Sequence, residues 1–203
     1  MKRLVFCFDG TWNRLNADTP TNVVLTAASI QRIAPDGVPQ LIHYDEGVGT
    51  GRLEKLSGGM FGAGLLANVR EAYRFLIFNY DPGDHIYVFG FSRGAFSART
   101  FIGLVRHVGP LRRLHASRID EAVDLYTRRE KDEQDVGDEV RKFRADFSNG
   151  VCIGAGREVN RGDDGTGLLS QLVHFRCQTS MFFPEVPSGS TSQQAVQQKQ
   201  RPL

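Results

Sequence analysis

The feature that most constrains this chain is the run of residues 84–99, which reads as a buried strand, a sharp turn and a helix. The strand part, residues 86–89, is apolar, and the helix part is rich in small side chains. Between them lies Gly90-Phe91-Ser92-Arg93-Gly94, a G-x-S-x-G sequence in the strand–turn–helix setting that its geometry requires. The sequence therefore predicts that the Ser92 hydroxyl is held at a strained turn above a sheet, facing the N-terminus of the following helix.

The two glycines of this motif have a predicted steric role. A side chain at Gly90 or Gly94 would collide with the neighbouring strand or helix, so both positions favour a residue without a Cβ atom. An incidental glycine turn is the alternative interpretation, since the chain contains 22 glycines. The apolar strand before the motif and the small-residue helix after it favour the elbow.

A serine at such a turn needs hydrogen-bond donors for a developing oxyanion. The backbone N–H of Arg93 is one candidate, because it follows the serine. The second donor is expected from a loop at the carboxyl end of a neighbouring strand, and Gly10 or Thr11 lies at such a place, between Asp9 and Asn13. A plain strand-terminating turn at Asp9-Gly10 explains the local sequence equally well, so both interpretations stay open.

The serine also needs a histidine base and an acid to orient it, and elbow hydrolases supply them in the order serine, acid, histidine. Of the five histidines, only His174 follows Ser92 at sufficient distance, with Asp163 or Asp164 as the acid between them. Neither aspartate follows a convincing buried strand. An ordinary polar role for His174 therefore stays open as the alternative.

Composition narrows the classes of function. A chain of 203 residues is one domain by length, and its formal net charge of +2 does not indicate a nucleic-acid partner. Three cysteines without metal-ligand spacing indicate a reduced, cytoplasmic setting and predict no metal. No apolar run reaches membrane-spanning length, and residues 1–9 read as a first strand because their apolar stretch is too short for a signal peptide.

Two glycine-containing motifs suggest other functions, namely nucleotide binding and phosphotransfer, but neither motif has all the residues that its function requires. Gly47-Val-Gly-Thr-Gly51 fails the dinucleotide fingerprint, because Arg52 stands where the third glycine belongs, and no phosphate-loop motif is present. A glycine-rich loop beside the active site is the preferred interpretation, and no cofactor is predicted. Asp9-Gly10-Thr11 suggests phosphotransfer enzymes with an aspartyl nucleophile two residues earlier, but Cys7 occupies that position here.

Strand and helix patterns alternate along the first part of the chain. They predict an α/β fold with a mostly parallel sheet and helices on both faces. From about residue 148 the sequence is rich in glycine and polar residues and has no sustained period. We therefore expect a domain at residues 1–147 and an irregular, disordered or out-of-frame tail at 148–203. The predicted elements are a helix over 22–33, a strand over 40–44, a helix over 65–80 opened by Gly64, and a helix with Ser117 as its N-cap.

Several motifs together resemble a known family. The segments 8–13, 47–50, 72–76, 82–84 and 90–95 occur in the order seen in type VI secretion lipase effectors, an α/β-hydrolase domain family long catalogued as uncharacterised. This resemblance covers about residues 1–147. It implies an α/β-hydrolase fold, Ser92 as nucleophile and a phospholipid or other ester as substrate. It also implies an effector that leaves the producing cell without a cleaved signal peptide, with a secretion-apparatus or immunity partner.

The chain also departs from the family's pattern. Members continue with an apolar strand that ends in a Val-Trp-Asp-Thr-like segment carrying the triad aspartate, and they supply the histidine later. No such strand follows Phe147, so we expect a truncated or frameshifted ending that leaves the sheet incomplete on this side. The alternative function is then a catalytically inactive remnant or binding module. The elbow strand would have an unpaired apolar edge, which predicts self-association.

Overall fold

The computed structural model describes residues 1–10, 19–47, 60–128 and 133–149 and four short strand segments between residues 152 and 178. Three strands form a parallel sheet in the order β2-β1-β3. These strands are β1 (Arg3–Phe8), β2 (Gln40–Asp45) and β3 (His85–Gly90). Arg3 pairs with Gln40 on one side and with His85 on the other, so the three strands run in step to the same carboxyl edge.

Helices cover both faces of this sheet, because strand residues alternate between its two sides. On one face, Val5 and Cys7 pack against Val23 of helix α1 (Asn22–Ser29). On the other face, Phe6 and Phe8 belong to the main core, together with buried residues of α2 (Met60–Asn79) and α3 (Arg93–Val108). The predicted α/β class, with a parallel sheet and helices on both faces, is confirmed.

The remaining described elements follow α3. A 3-10 helix, Arg113–Arg118, leads into α4 (Ile119–Arg128) and α5 (Glu133–Phe147). The highly charged stretch after residue 128 contributes Val140 and Phe143 to the core, so it packs as an amphipathic helix. Four short strands follow: β4 (Cys152–Ile153), β5 (Arg157–Asn160), β6 (Gln171–His174) and β7 (Cys177–Gln178). They form two antiparallel pairs, β4 with β7 and β5 with β6.

Four element boundaries differ from the predictions. Helix α1 ends at Ser29 and not at Ile33, because the chain then becomes extended and Ile33 pairs with Pro39 just before β2. Ser117 is not an N-cap, because it lies inside the 3-10 helix that precedes α4. Strand β2 continues to Asp45, one residue beyond its predicted end, and α2 begins at Met60, before its predicted start, and ends at Asn79. Most of the glycine-rich loop after β2, and residues 179–203 of the predicted irregular tail, lie outside the described residues.

A buried acid joins the amino ends of two strands. Asp84, 1% exposed, accepts hydrogen bonds from the backbone N–H of Lys2 and of Asp81, each at 2.8 Å. The Lys2 ammonium forms ion pairs with the carboxylates of Asp81 and Asp84. This cluster fixes the start of β3 beside the start of β1, so the two strands enter the sheet in register.

Strand β6, which pairs with β5, lies close to both β3 and α3. Within the part of the chain that the structure describes, the hydrogen-bonded sheet around β3 contains β1 as its neighbour. Self-association through this side of the sheet stays a prediction.

The start of α3 packs closely against the end of β1. We therefore expect a larger side chain at this contact to destabilise the protein. A Cβ atom added at Gly94 would lie 2.2 Å from the Phe8 carbonyl oxygen and 2.4 Å from that of Asp9. These are backbone atoms of a central strand, so they cannot move aside. We expect Gly94→Ala to lower the free energy of unfolding by about 3 kcal/mol.

Gly137 provides the matched control. It lies in α5, where an added Cβ would approach no atom closer than 3.8 Å. Gly137→Ala should raise the free energy of unfolding by about 0.5–1 kcal/mol, because alanine favours the helix. Urea denaturation of both variants measures the difference, and equal stability of the Gly94→Ala variant and the wild type would contradict this packing.

Candidate active site

The candidate site lies at the carboxyl edge of the sheet, between the ends of β1 and β3. The chain leaves β1 toward α1 on one face, whereas it leaves β3 toward α3 on the other face. Neighbouring loops that separate in this way open a crevice at the topological switch point, where open α/β sheets bind their ligands. The Asp9-Gly10 segment and the Ser92 turn are the two sides of this crevice.

Ser92 occupies the turn between β3 and α3 in a rare backbone conformation. Its φ is 53° and its ψ is −123°, and among the described residues it is the one non-glycine residue with a positive φ. Such a conformation costs about 1–3 kcal/mol for a residue with a Cβ atom. The side chain is exposed, and α3 begins at the next residue. This is the strained strand–turn–helix geometry that the sequence predicts.

Steric contacts explain both glycines of the motif. A Cβ atom at Gly90 would lie 2.7 Å from the Ala95 Cα atom and from the Gly94 carbonyl oxygen, inside the following helix. A Cβ atom at Gly94 would overlap the end of β1, as described above. The turn continues the sheet pairing, because the Phe91 N–H donates to the Phe8 carbonyl at 3.1 Å. Neither position has room for a Cβ atom.

Asp9 organises the other side of the crevice. It is fully buried directly after β1, and its carboxyl oxygens accept hydrogen bonds from three different elements. The donors are the Gly10 N–H at 2.7 Å, the Thr21 hydroxyl at 2.5 Å and the Tyr44 hydroxyl at 2.8 Å. Thr21 is also the N-cap of α1, accepting from the Val24 N–H at 3.1 Å. One side chain therefore ties the β1 loop to α1 and to β2.

The end of β2 completes this edge. The Asp45 carboxyl accepts from the Gly47 N–H at 2.7 Å and from the Asn68 amide at 2.8 Å, and its burial raises its pKa. Gly47 has a φ of 83°, and a Cβ atom there would lie 2.7 Å from the Asp9 carbonyl oxygen. The start of the glycine-rich loop therefore rests directly on the Asp9-Gly10 segment, beside the predicted site.

The described histidines occupy other parts of the fold, and His115 of the 3-10 helix packs against Phe147. The half-buried His43 packs against the rings of Phe6, Phe8 and Phe75, and its burial lowers its pKa. His85 begins β3 at the opposite edge of the sheet, and His107 lies at the far end of α3, about 20 Å along the helix axis. Among the described residues, none forms a hydrogen bond with the Ser92 hydroxyl.

The other predicted site residues are placed as follows. The Gly10 N–H donates to Asp9, so it is directed to that carboxyl group in this structure. His174 is the last residue of β6, the strand that lies close to β3 and α3. Thr11, Asn13, Asp163 and Asp164 lie outside the described residues. The roles of all these residues stay predictions.

Sequence reasoning missed Tyr44 and Thr21 as partners of Asp9. A signal for Tyr44 existed, since a tyrosine before an aspartate at the end of β2 parallels Phe8-Asp9 at the end of β1. Tyr44 is partly buried. This burial is the main reason that the pKa of its hydroxyl group is raised, and the hydrogen bond to Asp9 raises the pKa further. Burial also raises the pKa of the Cys7 thiol to about 12, so this residue stays protonated and is a poor nucleophile.

Within the described ranges, no three or more histidine, cysteine, aspartate or glutamate side chains form a cluster suited to a metal ion. No helix in that part of the chain is long and apolar enough to cross a bilayer.

The contacts of Asp9 predict graded effects of substitution. Asp9→Asn should lower the free energy of unfolding by about 2–4 kcal/mol, because an amide nitrogen would face a hydrogen-bond donor inside the protein. Tyr44→Phe removes a single hydrogen bond, so a loss of about 1 kcal/mol is expected. Asp120→Asn on the surface of α4 serves as the control and should leave stability unchanged. Thermal unfolding followed by circular dichroism tests the order, and an Asp9→Asn variant as stable as the control would contradict it.

Comparisons with known proteins identify a family and a relative. The family described as type VI secretion system (T6SS), phospholipase effector Tle1-like, catalytic domain matches residues 2–181. The match continues from residue 148 to 181, beyond the motifs on which the resemblance rested. A Saccharomyces cerevisiae protein, uncharacterized protein YEL023C, is 31% identical over 148 residues, which are 66% of this chain and 21% of that protein.

The chain thus spans about a fifth of the length of this yeast relative. No solved structure gives a significant match. The family match covers most of the chain and includes the Ser92 turn, the Asp9-Gly10 segment and the three parallel strands. The chain belongs to the Tle1-like phospholipase effector catalytic-domain family.

Proposed function

We propose that this chain is a serine hydrolase that cleaves ester bonds of lipids, with Ser92 as its nucleophile. The observation that carries the proposal is the backbone of Ser92, which has φ 53° and an exposed side chain at the start of α3. A protein retains such strain only where the surrounding packing enforces it, and strained residues cluster at active sites. The position at the switch point of the sheet supports the same role.

The reaction follows from the position of the turn. The Ser92 Oγ atom attacks the ester carbonyl carbon, and its proton passes to a base while the carbonyl oxygen becomes an oxyanion. The Arg93 N–H at the helix start, with Gly10 or Thr11 across the crevice, would stabilise this charge. Collapse of the intermediate breaks the bond to the alcohol, which takes up the proton and leaves an acyl-enzyme. Water then releases the acid and restores the serine.

His174 is our candidate for the base, and Asp163 or Asp164 is our candidate for the acid that orients it. This assignment follows the chain order of elbow hydrolases and the position of β6 close to β3. The lipid substrate follows from membership in a phospholipase effector family. Export from the producing cell, with an immunity partner or secretion apparatus, belongs to the same proposal.

A second candidate function is a binding domain that has lost catalysis. The observation that favours it is the Ser92 hydroxyl, which makes no hydrogen bond to a described residue. A serine without a paired base loses several orders of magnitude in reactivity, although the oxyanion donors alone retain some rate acceleration.

Active-site labelling separates the two functions. A fluorophosphonate should label the wild-type chain at one residue, with the Ser92 Oγ–phosphorus bond replacing the phosphorus–fluorine bond. Ser92→Ala should reduce labelling by more than about a hundredfold, because it removes the proposed nucleophile. Ser117→Ala, at an exposed serine of the 3-10 helix, is the matched control and should label like the wild type.

Intact-mass spectrometry and peptide mapping give the readout. No labelling of the folded wild-type chain would contradict the hydrolase and favour the binding domain. Labelling that persists in the Ser92→Ala variant would show that the nucleophile lies elsewhere.

A further inference from the structure

One aromatic side chain near the serine is exposed without a structural reason. Phe96 of α3 is 54% exposed, although the other large apolar residues of this helix are buried against the sheet and neighbouring helices. Phe101, on the same helix, is fully buried and packs against the rings of Phe6 and Phe8. The core therefore does not account for an aromatic residue at position 96.

Phe96 lies in the first turn of α3, just after the turn that contains Ser92. It follows Ser92 by four residues, about one turn of α3, and both side chains are exposed. Long helical side chains point back toward the helix N-terminus and cover the preceding turn. The ring of Phe96 therefore covers the surface that begins at Ser92, on the side of the crevice formed by α3.

We propose that Phe96 forms the binding surface for the acyl chain of the substrate, directly beside Ser92. This inference rests on the proposed function. A carbonyl carbon bound at the Ser92 Oγ atom directs its oxygen toward the helix start, so its alkyl substituent must leave the site along another side. The α3 side offers an apolar ring, and burial of a methylene group against apolar surface contributes about 0.8 kcal/mol.

The apolar surface is short, which limits what it recognises. One turn beyond Phe96 the exposed position is Arg99, a charged side chain. Contact with Phe96 therefore covers the first few carbons next to the carbonyl, about one helix turn or 5 Å. Position 96 should discriminate very short acyl groups from longer ones, and it should not discriminate among long ones.

The test compares the labelling rates of Ser92 by two probes, an ethyl and an octyl fluorophosphonate. In the wild type the octyl probe should react faster, because its chain contacts Phe96. Phe96→Ala should lower the octyl-to-ethyl ratio of rate constants by about tenfold, the range expected for a lost hydrophobic contact. Phe96→Leu should retain most of the ratio, and it provides a second variant should the alanine variant not fold.

Phe78 supplies the matched control. It is a phenylalanine with almost the same exposure, 53%, near the end of α2 at the opposite edge of the sheet. Phe78→Ala should leave the ratio unchanged. Labelling of Ser92 by both probes with an unchanged ratio in the Phe96→Ala variant would overturn this inference and leave the hydrolase standing. Failure of both probes to label the wild type would overturn the hydrolase, and the inference with it.

Discussion

The contact between the start of α3 and the end of β1 is the constraint on which the rest of the site depends. Gly94 lies against the carbonyl oxygens of Phe8 and Asp9 with no room for a Cβ atom. The chain must therefore turn from β3 into α3 within two residues, and Ser92 takes the positive φ that this sharp turn requires. The strain at Ser92 is a consequence of packing between a central strand and a helix, and the core on that face stabilises it.

The opposite side of the crevice is held by hydrogen bonds instead of steric contact. Asp9 joins the β1 loop, the N-cap of α1 and the end of β2 through the hydroxyl groups of Thr21 and Tyr44. The crevice therefore has a rigid wall at α3 and a polar wall at Asp9.

The fold and the turn could be read from the sequence, because local patterns carry both. Buried strands, small helix residues and the spacing of Gly90 and Gly94 around Ser92 determine the turn within a few residues. The partners of Asp9 could not be read, because Thr21 and Tyr44 meet it only once β1, β2 and α1 have assembled. The predicted end of α1 was wrong for a similar reason, since the pairing of Ile33 with Pro39 prevents the helix from continuing. The exposure of Phe96 depends on which face of α3 the sheet covers. Sequence periodicity alone does not determine that face in the first turn of a helix.

The most direct test of the central claim is the stability of a Ser92→Gly variant. If packing forces a positive φ at this position, glycine relieves the strain, and the free energy of unfolding should rise by about 1 kcal/mol relative to the wild type. At an ordinary helix N-cap, serine is at least as favourable as glycine, and the added flexibility of the unfolded chain makes glycine worse. A Ser92→Gly variant less stable than the wild type in urea denaturation would contradict the strained turn.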